Sequence, residues 1–386
     1  MRTQKYIHSL HSSSAIGLLT PWTVEEIDDE VITCVLAEKK KKRHRYPDWL
    51  ADRESHTLPR AERATATQRE RRRWGVVLAG GDGTRLRELT RWVYGDDRPK
   101  QFCSLLGGRT LLEETILRAE RSILPEQILY CVTRNHQNHY RRYLTGRPSQ
   151  RIVQPLNRGT APAIVCALER IAQADPAAIV SILPSDHYYS SESAFTAALE
   201  SAMDIAEQQA ESVVVLGAQP NRAEVEYGWI EIGESLRGYS GLFHVEGFQE
   251  KPPLDQAQAL LGSGSLWNTF VMVGRLSAFL EMAWATIPRL METLESMKMI
   301  AAGPGSEVRI PESVYSEIPS TDFSRQVLAP ARDHLLALRH ENSDWNDLGD
   351  PYRVLSTLVE KEGDLPSWAK LWPPVQRDPG SFWAAA

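Results

Sequence analysis

Cysteine is scarce in this chain. Cys34, Cys103, Cys131 and Cys166 are scattered over 386 residues with no C-x-x-C pair and no metal-ligand spacing, which argues against a disulfide framework and against a zinc site. Three of the four stand in apolar or helix-like runs, the setting of reduced core thiols in a cytosolic protein, so a cytoplasmic location is expected. Long apolar runs are also missing. Nothing approaches the roughly 18–20 residues of a spanning helix, and no apolar segment ends in a small-residue cleavage site. Neither sign of charge dominates: the formal net charge is −6, which gives no general pull toward nucleic acid or a membrane surface, and neither partner is expected. Repeats with a period of roughly 20–50 residues are absent as well, which excludes a solenoid. Apolar residues are plentiful, at 42% of the chain, enough for a large core in one big domain or two smaller ones.

That apolar content is unevenly spread. Residues 1–72 alternate serine-rich, acidic and basic blocks without periodicity, the composition of a disordered or loosely attached tail. From Trp74 the rhythm changes to strand, loop and helix. Apolar runs at 75–79, 128–133, 151–154, 177–183 and 213–217 read as buried strands, and helical spacing recurs over 110–123, 135–144, 161–174 and 192–209. The expected fold class is α/β, a Rossmann-like, mostly parallel sheet with helices on both faces. Past Gly217, residues 227–232 and 243–249 alternate apolar and polar as half-solvated antiparallel strands do. Helices are expected over 275–299 with a break near Pro288, then a strand near 334–339 and a helix near 352–361. A folded domain over 73–362 would thus lie between the first tail and a loosely ordered second tail over 363–386.

The stretch around which the rest is arranged is W-G-V-V-L-A-G-G-D-G-T-R-L, beginning at Trp74 and followed by R-P-K-Q-F ending at Phe102. A buried strand empties into Gly80, Gly81, Asp82 and Gly83, whose freedom at positive φ lets backbone N–H groups converge on an anion. Arg85 and Lys100 add fixed positive charge. A P-loop would need Lys-Ser/Thr after the glycines, and a dinucleotide fingerprint a third glycine; both are missing. The string resembles the opening of the sugar-phosphate nucleotidyltransferases. The resemblance implies that Leu78, Ala79, Gly80, Gly81, Gly83 and Thr84 meet the nucleotide while Arg85 and Lys100 grip its triphosphate. Glu88 departs from the family, which usually has proline there.

Two carboxylates follow. Asp186 ends the strand over 177–183 in L-P-S-D-H, and Asp347 lies in W-N-D-L-G. Taken alone, each is an ordinary cap or turn residue. In the family, L-P-x-D-H and W-x-D-x-G hold the metal, so Asp186 and Asp347 together are expected to bind Mg²⁺ through hard oxygen ligands. His187 is expected to pack or orient, since Mg²⁺ prefers oxygen. Between loop and carboxylate runs Q-P-L-N-R-G-T-A-P-A, and its Gln154, Asn157, Gly159, Thr160 and Ala161 resemble the base-reading segment. The version N-x-x-T-A-P-A-I is similar to that of the mannose-1-phosphate guanylyltransferases.

The sugar half of the family is matched by E-Y-G-W-I, F-Q-E-K-P and W-N-T-F, which nominate Gly228, Glu250, Lys251, Asn268 and Thr269. Here Thr269-Phe270 replaces the usual Ser-Gly, which implies a bulkier wall. The resemblance covers about residues 74–361. It implies a nucleotidyltransferase (GT-A-like) fold with antiparallel sugar-binding additions. It also implies transfer of a nucleotidyl group from GTP to mannose 1-phosphate with Mg²⁺, with Arg85, Lys100 and Asp186 as the catalytic residues. A thymidylyl- or uridylyltransferase acting on glucose 1-phosphate, and a non-catalytic nucleotide-sugar-binding homologue, stay open, as does association into a homo-oligomer.

Overall fold

The apolar runs become strands, though not all of them in the expected direction. In a computed structural model the strands are β1 (Arg73–Leu78), β2 (Ile128–Thr133), β3 (Arg151–Gln154), β4 (Ile179–Pro184), β5 (Tyr188–Tyr189), β6 (Val213–Ala218), β7 (Gly228–Ser235), β8 (Leu242–Glu250), β9 (Leu266–Arg275), β10 (Ile300–Ala301), β11 (Val308–Arg309), β12 (Leu335–His340) and β13 (Trp345–Asn346). The structure describes residues 67–296, 300–301, 306–341 and 343–373, all within the unit Arg60–Ala386. The charged blocks at 1–66, Cys34 and the last residues of the chain lie outside the described residues.

One eleven-stranded sheet runs in the order β10-β11-β3-β2-β1-β4-β9-β6-β12-β8-β7, and β13 pairs with β5 separately. The pleat sends successive side chains to opposite faces. Val76, Val180 and Ile182 therefore join one core, with Ile164, Phe279 and Leu290 from helices Thr160–Ala174, Leu276–Thr286 and Pro288–Ser296. Val77, Ile179 and Leu183 join the other, with Leu112, Tyr140 and Phe195 from helices Leu111–Ala119, Gln137–Tyr143 and Glu192–Gln208. Helices on both faces are thus as expected. The break in the helical stretch falls at Pro288, which cannot donate to the preceding turn.

The sheet is mixed rather than mostly parallel. β3, β2, β1 and β4 are mutually parallel, but β9 enters between β4 and β6 and is antiparallel to both. Asn268 and Thr269 interrupt the apolar pattern of this stretch, so it reads as a motif rather than as a central strand. β6 instead pairs in parallel with β12. The short strands β10, at the edge, and β11, beside it, carry too few residues to show a period.

Order extends into both stretches that composition assigns to the tails. Residues 67–72 are held to helix Glu192–Gln208, where Arg69 pairs with Asp204 at 2.5 Å and with Glu207 at 2.7 Å. Helix Ser367–Lys370, inside the stretch expected to be loose, buries Ala369, and the following Trp372 joins it against Leu355 and Leu358. That third cluster also buries Leu86, Leu89 and Leu348, and so docks the helices Pro351–Glu362 and Ser367–Lys370 under the segment that follows the glycine loop.

Candidate active site

Parallel register aligns the carboxyl ends of the central strands. Leu78 pairs with Cys131 and Pro184, and Thr133 with Gln154, so the loops after β1, β3 and β4 open on one edge, where α/β sheets bind ligands. β9 runs the other way and brings its beginning, Trp267 and Asn268, to that edge; Gly228 at the start of β7 pairs there with Glu250 at the end of β8. A cleft of about 400 Å³ results. Leu78, Gly80, Gly81, Arg85, Gln154, Asn157, Gly159 and Thr160, the residues expected at the nucleotide, line one side, Gly228, Glu250, Lys251 and Asn268, those expected at the sugar, the other, with Asp186 and Asp347 between.

The glycine loop is fixed by its carbonyls. Gln101 Nε2 donates to Ala79 O and Gly81 O, Thr133 Oγ1 to Gly80 O, and Ser185 Oγ to Leu78 O. A loop whose carbonyl oxygens are tied inward presents N–H groups on its other edge. A Cβ at Gly80 would lie 2.9 Å from Thr133 Oγ1, and Gly83 takes φ 59° against Pro99 and Lys100. Asp82 joins this loop to its neighbours: its carboxylate accepts from Asn157 Nδ2 at 2.9 Å and lies 3.3 Å from His136 Nε2. Gly159, at φ 84°, leaves no room for a side chain, because a Cβ would stand 2.5 Å from Thr321 O.

A two-residue ribbon joins the carboxylates. Trp345 pairs with Tyr189 and Asn346 with Tyr188, just after Asp186 and just before Asp347. Across 158 positions of sequence Trp345 Nε1 donates to His187 Nδ1 at 3.2 Å. This bond sets the imidazole tautomer and leaves Nε2 facing Asp186 Oδ1 at 3.7 Å. Burial lowers the His187 pKa and keeps the ring neutral, the packing and orienting part expected of it. Lys100 is buried and does not line the cleft. Its Nζ lies 3.2 Å from Asp186 Oδ2 and donates to the carbonyls of Asp347 and Leu348. Burial alone would raise the Asp347 carboxyl, but Lys100 and then Arg353 outweigh it and hold its pKa at about 2. Arg353 Nη1 and Gly349 N both donate to Asp347 Oδ1, so Oδ2 is the oxygen left toward Arg85, 3.8 Å from its Nη2.

On the side expected to take the sugar, a Cβ at Gly228 would come within 2.7 Å of Glu250 Oε2 and 3.3 Å of Asn268 Cβ, which explains the glycine. Lys251 (φ 54°), Phe270 (φ 59°) and Leu348 (φ 49°) are the positive-φ residues other than glycine among those described, and Lys251 and Phe270 line the cleft. Such strain gathers where function over-determines the backbone. Burial, and after it Asp322, pushes the Glu250 carboxyl from 4.5 up to about 7, with Lys251 and Arg325 opposing. Because the folded value lies above the ordinary one, ionising Glu250 costs stability, absent below about pH 4.5 and complete above about pH 7. Glu250→Gln is expected to flatten this part of the decline in Tm, measured by melts over roughly pH 4–8; a slope like that of the unaltered protein would remove the assignment.

Several nominated residues sit behind the cleft instead of lining it. Ala79 is core, Gly83 and Thr84 form the turn that leads to Arg85, and Ala161 is buried with its N–H on Thr321 O. Thr269 is buried and donates to Leu216 O at 2.7 Å, so it secures β9 to β6. Other residues enter without having been nominated. Asp322 and Ser324 reach the cleft from a segment that ends in the π-helix Ser324–Leu328; no local pattern marks it, because its partners Gly159 and Thr160 lie far away in sequence. Glu226 lines the cleft beside Tyr227. Gln101 could have been singled out as a polar residue inside P-K-Q-F.

The family model for nucleotidyl transferase matches residues 74–358. The chain belongs to the nucleotidyl transferase family. It is 31% identical to a mannose-1-phosphate guanylyltransferase of Escherichia coli over 310 residues, 77% of this chain and 58% of that protein. It is 31% identical over 296 residues to the xanthan biosynthesis protein XanB of Xanthomonas campestris, 75% of this chain and 60% of that protein. The chain therefore spans about 60% of the length of these relatives. Among solved structures, one described as mannose-1-phosphate geranyltransferase from Thermus thermophilus superposes with a TM-score of 0.63 at 30% identity, covering 75% of this chain and 79% of that one. Glu88, the departure from the family's proline, lies exposed in the first turn of helix Arg87–Tyr94, a position that suits proline and acids alike.

Proposed function

We propose that this chain transfers a guanylyl group from GTP to mannose 1-phosphate, giving GDP-mannose and pyrophosphate, in the cytoplasm and with Mg²⁺. The observation that carries this reading is Glu226. Its Oε2 lies 3.0 Å from Arg85 on the nucleotide side and 3.4 Å from Lys251 on the sugar side. Cations from both half-sites therefore face one anion-sized point, which is what joining two phosphates requires. A phosphate oxygen of the sugar 1-phosphate would attack the α-phosphorus in line, and the bond to pyrophosphate would break. The nucleophile is already an anion and needs no general base, so Arg85 and Lys251 contribute mainly charge neutralisation and alignment. The relatives described as mannose-1-phosphate guanylyltransferases support the base and the sugar.

The donor set fits Mg²⁺: Asp186 and Asp347 offer hard carboxylate oxygens on one cleft, and the depressed pKa of Asp347 keeps it ionised. When bound there, the ion would supply charge against the triphosphate oxygens. Lys100 holds Asp186 and the Asp347 backbone in register, and His187 Nε2 faces Asp186 Oδ1.

The test is pyrophosphate release from a panel of nucleoside triphosphates and sugar 1-phosphates with Mg²⁺. GTP with mannose 1-phosphate should give the highest kcat/KM. Faster turnover of dTTP or UTP with glucose 1-phosphate would move the chain to that activity, and nucleotide-sugar binding without pyrophosphate would make it a non-catalytic homologue. Phe270 should narrow the sugar specificity. It lines the cleft at φ 59°, a conformation costing a non-glycine residue about 1–2 kcal/mol. Phe270→Gly is expected to change Tm little, because lost packing offsets relieved strain. It should raise kcat/KM for sugar 1-phosphates bulkier than a hexose relative to mannose 1-phosphate, as a competition assay would report.

A further inference from the structure

Arg353 is buried behind the cleft, yet it reaches both halves of the site. Its side chain is 4% exposed and its guanidinium meets three carboxylates: Nη1 donates to Asp347 Oδ1 at 2.6 Å, Nε lies 3.0 Å from Asp350 Oδ2, and Nη2 3.3 Å from Glu224 Oε1. Its Cζ stands 4.5 Å from the centre of the Tyr227 ring. We propose that Arg353 is a positioning residue that sets the cleft carboxylate Asp347 and the sugar-side loop 224–227 against each other, so that one guanidinium fixes the spacing of the two half-sites. This inference rests on the reaction proposed above.

Each arm does separate work. Toward the nucleotide side, Arg353 and Gly349 N both engage Asp347 Oδ1, which turns Oδ2 toward Arg85. The corner is closed: a Cβ at Gly349 would lie 2.7 Å from Asp347 Oδ2, 2.8 Å from Arg353 Nη1 and 2.9 Å from Arg85 Nη2. Toward the sugar side, Glu224 is the relay. Its Oε1 also accepts from Glu226 N at 2.9 Å, and its carbonyl accepts from Trp229 Nε1 at 2.8 Å. The carbonyl of Tyr227, whose ring lies under the guanidinium, accepts the backbone N–H of Lys251 at 3.0 Å. A buried pair kept only for stability needs one partner; a planar fork with donors in fixed directions is what carboxylates on two separate segments, 347–350 and the loop at Glu224, need. Lysine could satisfy one limb at a time.

The experiment uses the full chain with R353K and E224Q. It measures KM for each substrate, Mn²⁺ binding in the presence of GTP by electron paramagnetic resonance, and Tm. R353K is expected to raise the KM for mannose 1-phosphate and to weaken Mn²⁺ binding, each by about 10–100-fold, the usual cost of losing a group that orients a ligand. E224Q weakens the sugar-side limb, together with the Arg222 pair on the same carboxylate, and leaves the Asp347 limb in place, so it should raise the sugar KM and leave Mn²⁺ binding unchanged. The proposal is overturned if R353K lowers Tm while both KM values and Mn²⁺ affinity stay at their original values. Should R353K not fold, E224Q decides: a selective rise in the sugar KM supports the coupling, and an unaltered KM removes it. If the unaltered chain releases no pyrophosphate, the proposed reaction fails; Mn²⁺ binding to R353K still reports whether Arg353 positions Asp347.

Discussion

Replacing Lys100 by alanine is expected to lower kcat/KM by at least about 10²-fold, roughly 2.7 kcal/mol of transition-state stabilisation. Unlike a cation exposed in the cleft, it should also lose stability. Lys100 is buried, lies between Asp186 and the Asp347 backbone, and donates to the carbonyls of Asp347 and Leu348. Its removal leaves those carbonyls unpaired and Asp347 with less compensation. Losing a buried partner typically costs about 3–5 kcal/mol, and the partial exposure of Asp186 puts this case at the lower end or below it. Arg85→Ala is the natural comparison, because Arg85 is half exposed and its ion pairs are surface pairs, worth about 0–1 kcal/mol. Its activity should fall comparably while its Tm hardly moves. Lys100→Ala with ordinary turnover would take this lysine out of the site. A large Tm loss in Arg85→Ala would show that the glycine loop depends on the Glu226 contact for its fold.

These two cations show what the sequence could and could not convey. Both were legible as charges near a glycine loop, since strand, turn and cation are local patterns with a physical reason behind each. Their difference was not. Lys100 turns inward because the peptide after β13 returns to offer it two carbonyls, and nothing near Lys100 announces a ribbon formed by Tyr188–Tyr189 and Trp345–Asn346. The same holds elsewhere in the fold. Runs such as 75–79 and 128–133 carry enough valine and isoleucine to mark buried strands at once. Strand direction depends on partners: β9 is antiparallel because it crosses back between β4 and β6, which periodicity does not encode. Thr269 looks like a sugar contact because it follows Asn268, but the pleat sends alternate side chains to opposite faces, and Leu216 O receives its hydroxyl. Asp322, Ser324 and Arg353 were missed for a related reason, since each acts on residues brought near only by the finished fold.

Asp186→Asn and Asp347→Asn should each come close to abolishing turnover, and the double variant should be little worse than either, because groups that serve one ion act as a unit. Stability should separate them. The Asp347 carboxyl is held at about 2 by Lys100 and Arg353 against an ordinary 3.8. A folded value below the ordinary one means that the ionised carboxylate contributes stability above about pH 4 and loses it as pH falls toward about 2. At about 1.4 kcal/mol per unit this contribution is on the order of 2 kcal/mol. Asp347→Asn should therefore melt lower than the unaltered chain near neutral pH, with the gap closing in acid. Asp186→Asn should melt close to the original, since Asp186 is more exposed than Asp347 and its ion pair with Lys100 is partly solvated. In the double variant activity should saturate while the stability loss stays near that of Asp347→Asn. Multiplicative losses of turnover in the double variant would mean that the carboxylates serve separate purposes, and a pH-independent Tm gap for Asp347→Asn would dissolve the ionic account of its position.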